Sequence, residues 1–373
     1  MTTPQRWAWA EVDLAAVAHN VVVLRSLAAP SELWAVVKAD GYGHGAVRVG
    51  RAALAAGVVG LCVALTQEGI ELRQAGITAP VLLLSEQPAD NAAAIVANDL
   101  TPTVYTVDAV RALADAVGTS TAPRPFPVHV KVDTGMHRVG VAPADLDALL
   151  HQLQQVSHLL RVDGIFTHLA VADDPGNTYN AQQLERFSSP ITPELSVRTH
   201  AANSAGLLAH PAARRDMVRG GIAIYGISPG AGVDDLASDL RPAFSLKARV
   251  SFVKRLAAGD AISYGLRHTF SSAANVATVP IGYADGVPRR LFAVGGQVLI
   301  GGKRRMIVGA VTMDQLMVDC GDDKIEVGDE VVLIGRQRNE AITAAEWATR
   351  LDTIAYEIVC GISKRVPRVY VNA

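Results

Sequence analysis

A chain of 373 residues, half of them hydrophobic, has enough apolar material for two domains or for one large barrel with an appendage. Its formal net charge of -2 argues against nucleic acid or an anionic membrane surface as the main partner. No run of about 18 uncharged apolar residues occurs, so we expect no membrane span.

The cysteines and the N-terminus indicate the cellular compartment. Cys62, Cys320 and Cys360 are odd in number and far apart, so they fit neither a disulfide framework nor a zinc site. The first seven residues lack the basic and then apolar pattern of a secretory signal. We therefore expect a reducing, cytoplasmic location and no metal site.

The first unusual stretch joins an apolar run of strand type to a glycine-rich turn. It reads Trp34-Ala-Val-Val-Lys38-Ala-Asp-Gly-Tyr42-Gly-His44-Gly45. A buried strand does not normally end on a charged residue unless that residue faces a cavity. Three alternate glycines allow the backbone to turn sharply and to approach a ligand closely. A surface lysine in an ordinary turn is the alternative interpretation, but the glycines and the hydroxyl of Tyr42 favour a binding site.

Up to Ser238, short apolar runs alternate with stretches of helical period. The runs predict eight buried strands: Leu33–Lys38, Gly60–Leu65, Val81–Ser85, Thr101–Tyr105, Pro127–Val132, Val162–His168, Leu195–His200, and Met217–Arg219 continuing to Tyr225. Helices are predicted between them, at Glu68–Gln74, Asn91–Ala97, Asp108–Ala116, Pro143–Val156 and Ala181–Phe187. Eight β/α units predict an α/β fold with a (β/α)8 barrel over residues 1–238. An open doubly wound sheet is the alternative, but no Gly-x-Gly-x-x-Gly turn follows a strand.

Polar residues that are unusual in buried strands fall at the carboxyl ends of these strands, where such barrels carry their active sites. They are Lys38, Lys131, Asp133, His168, His200, Asn203, Ser204 and Arg219. A single strand-end histidine is usually only hydrogen-bonded, but eight polar residues converging on one rim predict a site.

Phosphate sites in these barrels lie beyond strands seven and eight, at backbone amides and a helix N-terminus. Asn203-Ser204-Ala205-Gly206 is a plausible helix start with capping residues, and Gly220-Gly221 offers amides beside it. A phosphate anchor opposite a lysine is the arrangement expected of pyridoxal phosphate (PLP), whose aldehyde the lysine binds.

After Ser238 the pattern changes to strands with tight turns, which predicts a mainly β domain over residues 239–373. The polar, glycine-bearing segment Pro229–Asp239 joins it to the barrel. The predicted strands are Phe244–Leu256, Asn275–Tyr283, Gln297–Ile300, Arg305–Val318 and Glu330–Ile334, and one helix, Thr343–Arg350, interrupts them.

Motifs in both parts resemble those of the alanine racemase family, PLP enzymes with an N-terminal barrel and a C-terminal β domain. In the barrel these are Ala35-Val-Val-Lys38-Ala-Asp-Gly-Tyr42-Gly-His-Gly45, Lys131-Val-Asp-Thr-Gly-Met-His-Arg138-Val-Gly140, His200-Ala-Ala-Asn203-Ser204 and Arg219-Gly-Gly-Ile-Ala-Ile-Tyr225-Gly. In the β domain these are Ile262-Ser-Tyr264-Gly, Ile281-Gly-Tyr283-Ala-Asp-Gly286, Met313-Asp314 and Tyr356-Glu-Ile-Val-Cys-Gly-Ile-Ser-Lys-Arg-Val-Pro.

The resemblance implies that Lys38 carries PLP and acts as one acid/base, with Tyr264 as the other. Racemisation removes a proton from one face of Cα and returns it to the opposite face, so two groups serve better than one. The lysine and tyrosine side chains both have pKa values of about 10 in water. Cationic neighbours should lower both pKa values, and desolvation should lower that of the lysine further.

The resemblance also implies the remaining contacts. Arg219 would pair with the ring nitrogen, and Arg138 and the backbone amide of Met313 would contact the substrate carboxylate. Further cofactor contacts are implied at Tyr42, His168, Asn203, Ser204, Gly221, Ile222 and Tyr356. Tyr283 and Tyr356 would narrow the entrance to small side chains.

Two further expectations concern Lys131 and the assembly. In this family Lys131 is often carbamylated, and the resulting anion would hold Arg138; an unmodified lysine paired with Asp133 is the alternative. The resemblance implies a head-to-tail homodimer in which Tyr264 is supplied across the interface.

The implied activity is the interconversion of L- and D-alanine, with D-alanine supplied for peptidoglycan. A broader-specificity or serine-type racemase is one alternative. A diamino acid decarboxylase would need an acidic residue in place of Arg219, and a non-catalytic PLP carrier would lack the β domain with Tyr264.

Overall fold

The computed structural model describes residues 6–189 and 197–372, which divide into two compact units. The barrel unit comprises Ala16–Gly41 and Gly45–Pro242, and the β unit comprises the chain up to Ala15, the tripeptide Tyr42–His44 and the chain from Ala243 onward.

The first strand, β1 (Ala8–Asp13), belongs to the β unit. It pairs antiparallel with β10 (Phe244–Arg249) and parallel with β20 (Arg368–Val371). The predicted boundaries, 1–238 and 239–373, therefore differ from the observed division at the N-terminus. Sequence periodicity predicts that a segment is a strand but does not indicate which sheet the strand joins, so the place of β1 could not be predicted.

Eight parallel strands lie in the described part of the barrel unit. They are β2 (Glu32–Val36), β3 (Gly60–Val63), β4 (Val81–Leu83), β5 (Thr103–Val104), β6 (Phe126–Lys131), β7 (Leu160–Phe166), β8 (Arg198–His200) and β9 (Met217–Gly220). They pair in the orders β4-β3-β2-β9 and β5-β6-β7-β8. A parallel bridge from Leu82 to Thr101 and a hydrogen bond from Asp216 N–H to the Thr199 carbonyl (3.1 Å) join the two sets into the predicted barrel. Of the predicted strand Leu195–His200, residues 195 and 196 lie outside the described residues.

The helix Val107–Thr119 shows how a barrel helix buries one apolar face. In the helix Val107–Thr119, the side chains of Val110, Leu113 and Val117 are buried, and the Thr106 hydroxyl caps the Ala109 amide at 3.2 Å. The other helices of this part are Leu14–Ala28, Ala46–Ala55, Thr66–Gln74, Ala92–Ala97, Leu146–Gln155, Tyr179–Ser188 and Ser204–Ala209.

The β unit is built on one large sheet. Besides β1, β10 and β20, its strands are β11 (Phe252–Leu256), β14 (Ala274–Val279), β15 (Gln297–Ile300), β16 (Lys303–Val308), β17 (Leu316–Asp319), β18 (Glu330–Gln337) and β19 (Glu340–Ile342). Their order is β11-β14-β17-β16-β15-β18-β10-β1-β20, with β19 on β18. A separate hairpin consists of β12 (Ala261–Ile262) and β13 (His268–Thr269), and the helices are Ala344–Leu351 and Ala355–Cys360.

Two long predicted strands are each two strands in the structure. Phe244–Leu256 breaks between β10 and β11, and Arg305–Val318 breaks between β16 and β17. Gly309, with φ of 67°, lies in the second break. Over residues 6–189 and 197–372, no helix is both long and apolar enough to cross a membrane.

Candidate active site

Lys38 lies just after β2 and begins a turn of left-handed helix. Residues 39–42 have φ between 52° and 62°, a region that costs residues other than glycine roughly 1–2 kcal/mol each. The Gly41 amide donates to the Val37 carbonyl at 2.8 Å and closes the turn. Strain of this kind persists where the surroundings hold it, and it clusters at functional sites. The predicted sharp turn is present, and the left-handed conformation includes three residues other than glycine, Ala39, Asp40 and Tyr42.

Hydrogen bonds from outside this turn hold it in place. Glu68 Oε1 accepts from the Ala39 amide at 2.6 Å. Asp40 accepts from the Ala46 amide through Oδ1 at 3.0 Å and from the Gly45 amide through its carbonyl at 2.8 Å. The turn therefore runs directly into the helix Ala46–Ala55.

Gly43 is packed against the helix Ala355–Cys360. Its φ is 79°, and a Cβ built on it would stand 2.4 Å from the Val359 carbonyl oxygen. Gly76 offers a matched control, because its φ is 80° and nothing lies within 4 Å of its Cβ position.

Replacing these two glycines by alanine is expected to have unequal effects. Gly76→Ala should lower the free energy of unfolding by about 1 kcal/mol, from backbone conformation alone. Gly43→Ala should cost about 1–3 kcal/mol more, because the close-packed carbonyl must shift. Urea denaturation measures both losses. Equal losses would contradict the close packing of Gly43.

Tyr42 and Tyr356, both predicted to contact the cofactor, lie together in the β unit. Their ring centroids are 6.0 Å apart and their planes are tilted by 50°. Arg368 Nε donates to the Gly43 carbonyl at 2.9 Å, and its Nη atoms donate to three carbonyls between residues 362 and 366. Arg368 thereby ties Gly43 to the segment that follows Tyr356 within the β unit.

The residues predicted to hold the phosphate after strands seven and eight are also brought together. Asn203 Oδ1 accepts from the Gly206 amide at 2.9 Å and caps the helix Ser204–Ala209, as predicted. The buried Ser204 hydroxyl accepts from the amides of Gly221 (2.9 Å) and Ala223 (3.3 Å). Ile222 is buried and begins the short helical turn that follows. The Gly221 amide is thus bonded within the protein, although we expected it to be open.

Arg219 lies in β9 with a side chain that is buried and held at both Nη atoms. Nη1 donates to His200 Nδ1 at 2.6 Å. Nη2 donates to the carbonyls of Thr167 (2.9 Å) and Ala201 (3.0 Å), and it lies 3.5 Å from His168 Nδ1. None of these four contacts uses Nε. In the part of the chain that the structure describes, the fixed guanidinium therefore keeps its Nε–H for a further acceptor.

Burial and the charge of Arg219 fix the protonation of the neighbouring histidines. Burial lowers the pKa of Arg219 to about 10, so the guanidinium stays charged at neutral pH. Burial and then the charge of Arg219 hold the pKa of His168 well below its ordinary value. The same two causes depress the pKa of His200. Both imidazoles are neutral at pH 7.

Lys131 ends β6 with a nearly buried side chain. Its Nζ lies 5.6 Å from the centre of the Phe166 ring, and Arg219 Cζ lies 5.2 Å from the same ring. Burial first, and then the charge of Arg138, lower the pKa of Lys131 to about 8, with smaller effects of Arg219 and Lys38. Four cationic side chains thus gather in one part of the barrel unit.

Asp133 does not neutralise this cluster by pairing with Lys131. Its Oδ1 accepts from the backbone amides of Gly135 and His137, each at 3.0 Å. In the part of the chain that the structure describes, Lys131 forms no ion pair with a carboxylate. The ion pair between Lys131 and Asp133, which was the alternative to a carbamate, is therefore not formed in the structure.

Tyr264 is presented at the tip of the β12–β13 hairpin, where its side chain is 72% exposed. The residues beside it have positive φ: 67° at Ser263, 76° at Gly265 and 48° at Leu266. The Ser263 hydroxyl donates to the Ala310 carbonyl at 2.7 Å and holds the tip. The hairpin thus fixes its backbone while leaving the tyrosine ring open.

Tyr283 and Met313, which we predicted at the entrance and at the substrate, are joined through their backbones. The Tyr283 amide donates to the Thr312 carbonyl and the Ala284 amide to the Met313 carbonyl, each at 3.0 Å. The carboxylate of Asp285 is fully buried and accepts from both Nη atoms of Arg6, at 2.8 and 2.6 Å. These two hydrogen bonds fix the turn that contains Tyr283.

Two residues of this region were not singled out from the sequence. Cys62 is buried in β3, and burial raises the pKa of its thiol to about 12 against the opposing charges of Arg219 and Lys38. His129 is buried in β6, with Nδ1 3.0 Å from His200 Nε2. A histidine inside the apolar run Pro127–Val132 was the available signal, since buried polar side chains need partners.

Comparison with known proteins identifies the family of this chain. The family model "Alanine racemase, N-terminal domain" matches residues 12–229, and "Alanine racemase, C-terminal domain" matches residues 243–370. An alanine racemase of Symbiobacterium thermophilum is 49% identical over 369 residues, which cover 97% of this chain and 96% of that protein. The crystal structure of alanine racemase from Streptomyces lavendulae, which produces D-cycloserine, aligns with a TM-score of 0.93 and 39% identity over 100% of this chain and 98% of its own.

A histidine racemase from Leuconostoc mesenteroides also matches, with a TM-score of 0.90 and 29% identity over the full length of both chains. The fold is therefore shared by racemases of different side-chain preference. Since both family models match in order and together span almost the whole sequence, the chain belongs to the alanine racemase family.

Proposed function

We propose that the protein interconverts L- and D-alanine with PLP as its cofactor, and that the D-alanine serves peptidoglycan synthesis. Its family, established over both parts of the chain, supports the reaction. The observation that carries the cofactor assignment is Arg219, which is buried and fixed at both Nη atoms, while none of its hydrogen bonds within residues 6–189 and 197–372 uses Nε.

The residues present fit the three functional groups of PLP. Lys38, on a strained turn, would bind the aldehyde. Arg219 Nε would donate to the ring nitrogen. The phosphate would lie near the Ser204 hydroxyl and the amides after Gly220, with Tyr42 and Tyr356 contributing their hydroxyls.

The proposed mechanism assigns the proton transfers to two side chains. Bound PLP supplies an electron-withdrawing ring that makes the α-proton easier to remove. Lys38 and Tyr264 would take and return that proton at opposite faces of Cα. Arg138 and the Met313 amide would hold the substrate carboxylate so that Cα stays between them. Because arginine does not give up its proton, Arg219 would leave the ring nitrogen unprotonated, and that limits side reactions.

We further propose that Lys131 carries a carbamate. Its pKa of about 8 leaves an appreciable neutral fraction at neutral pH, and the neutral amine is the form that adds carbon dioxide with loss of a proton. The anion would sit among Lys38, Arg138 and Arg219, whose charges favour it. Because the neutral amine increases as pH rises through 8, carbamylation should increase in the same direction.

Labelled carbon dioxide tests this modification. After equilibration with 13C-bicarbonate at pH 8.5, wild-type protein should show one slowly exchanging carbamate resonance in its 13C spectrum, and Lys131→Ala should lack it. The variant's kcat/KM should fall by about tenfold to a hundredfold, since Arg138 loses its partner, and added acetate should restore part of the loss. A resonance that persists in Lys131→Ala would assign the carbamate elsewhere.

The exposed side chains of the β unit support a homodimer with shared sites. Tyr264, Leu266 and Met313 are 72%, 64% and 53% exposed, and Tyr283 is 42% exposed. Tyr264 and Leu266 lie on one hairpin tip, and large exposed apolar side chains that lie together are typical of surfaces that contact another chain. The partner in our proposal is a second copy, which would receive Tyr264 at its own barrel. We also propose a cytoplasmic location, which the buried thiols of Cys62 and Cys320 support.

A racemisation assay of the purified protein tests the proposed substrate. Alanine should give the highest kcat/KM in a panel that includes serine and histidine, and addition of PLP to apoprotein should restore activity. Serine or histidine at equal or higher rates would instead favour the broader-specificity alternative, for which the similarity to a histidine racemase is a specific reason.

A further inference from the structure

A chain of three buried side chains leads from Arg219 into the barrel wall. Arg219 Nη1 is 2.6 Å from His200 Nδ1, and His200 Nε2 is 3.0 Å from His129 Nδ1. All three side chains are buried. Among the described contacts, the hydrogen-bonded path from His129 to Arg219 runs through His200.

Only one arrangement of protons satisfies both contacts. Arginine has donors and no acceptor, so His200 Nδ1 must be the unprotonated nitrogen. The proton of a neutral His200 is then on Nε2, which donates to His129. His129 Nδ1 must therefore accept, and its own proton is on Nε2. Burial lowers the pKa of His129 to about 4 and holds the pKa of His200 well below its ordinary value, so both rings are neutral, as this arrangement requires.

The barrel wall is built to admit His129. The pairing of β6 with β7 shifts between Val128 and His129, so that His129 lies opposite Gly164. Such irregularities re-aim a side chain. A Cβ on Gly164 would stand 2.6 Å from His129 Cε1 and 2.7 Å from its Nδ1. Any larger residue at position 164 would displace the imidazole.

His200 is held by packing as well as by hydrogen bonds. The Phe166 ring stacks on it, with centroids 4.5 Å apart and planes 8° from parallel. That stacking sets the plane of the His200 ring but leaves open a flip of the ring about its Cβ–Cγ bond. The bonds to Arg219 and His129 select one of the two flipped orientations.

We propose that His129 is a positioning residue that locks His200 in its Nε2–H tautomer, so that Arg219 keeps its orientation with Nε available to a ligand. The inference rests on the proposed function only for the identity of that ligand. The tautomers themselves are properties of this chain.

The first test reads the tautomers directly in the PLP-loaded protein. With 15N-labelled histidine, the resonances of His129 and His200 are assigned by their loss in His129→Asn and His200→Asn. Both rings should show a protonated Nε2 and an unprotonated Nδ1 at pH 7. A proton on Nδ1 of either ring, or a doubly protonated ring, overturns the proposal whether or not the protein racemises alanine.

The second test separates positioning from general stability. His129→Asn keeps an acceptor near the Nδ1 position, whereas His129→Leu has similar bulk and no acceptor. With folded fraction matched by circular dichroism, His129→Leu and Gly164→Ala should each lower kcat about tenfold, with KM changed less than about twofold. His129→Asn should keep kcat within about threefold of wild type. Equal kcat in all three variants, or equal losses in the Asn and Leu variants, overturns the positioning role.

Discussion

Replacing Lys38 with alanine should lower racemisation by at least about ten-thousandfold, because one side chain is both the anchor of PLP and one of two bases. Both kcat and the amount of PLP bound per chain should fall in this variant. Borohydride reduction of the wild-type protein should attach PLP covalently to residue 38, and a peptide map locates the label.

The control for this experiment is a second lysine of the barrel unit, Lys131, whose side chain is buried. Lys131→Ala should still take up the label at residue 38, and Lys38→Ala should take up none. Covalent attachment to Lys131 or to any other lysine in wild-type protein would contradict the role of Lys38.

Replacing Arg219 with glutamate should change the kind of reaction as well as its rate. A carboxyl group can share a proton with the ring nitrogen, which arginine cannot. A protonated ring draws electrons more strongly, so the deprotonated substrate would live longer and be reprotonated at other positions. We expect racemisation to fall by about a hundredfold to a thousandfold and transamination of alanine to pyruvate to rise.

Arg219→Lys is the matched control, since it keeps a cation and loses the fixed geometry. It should lose racemisation without gaining transamination. If Arg219→Glu keeps full racemase activity, or if both variants behave alike, the ring nitrogen is not the partner of Arg219.

The sequence predicted the barrel well because its signals are local. A buried parallel strand is a short apolar run and a packed helix has its own period, so each β/α unit could be recognised separately. The polar residues at strand ends were found for the same reason, and the structure brings Lys131, His168, His200 and Arg219 together as expected.

What the sequence did not predict depends on long-range pairing. The strand Ala8–Asp13 joins a sheet whose other members begin at residue 244, and nothing in its own residues shows this. His129 was overlooked because its importance comes from a shift in strand register opposite Gly164. Left-handed φ at Ala39 and Asp40 was equally hidden, since those residue types normally avoid it.

Each active site is proposed to take Lys38 from one chain and Tyr264 from the other, and subunit mixing tests this most directly. Lys38→Ala and Tyr264→Ala homodimers should both be nearly inactive, because each lacks one base at both sites. After dissociation and reassociation, about half of the dimers contain one chain of each variant. In each of these mixed dimers, one active site has both substitutions and the other has neither. The mixture should therefore recover about a quarter of wild-type activity. If Lys38 and Tyr264 of a site came from the same chain, every site in every dimer would carry one substitution, and mixing would restore no activity. A mixture that stays inactive, with subunit exchange confirmed by mass spectrometry, would contradict the shared site.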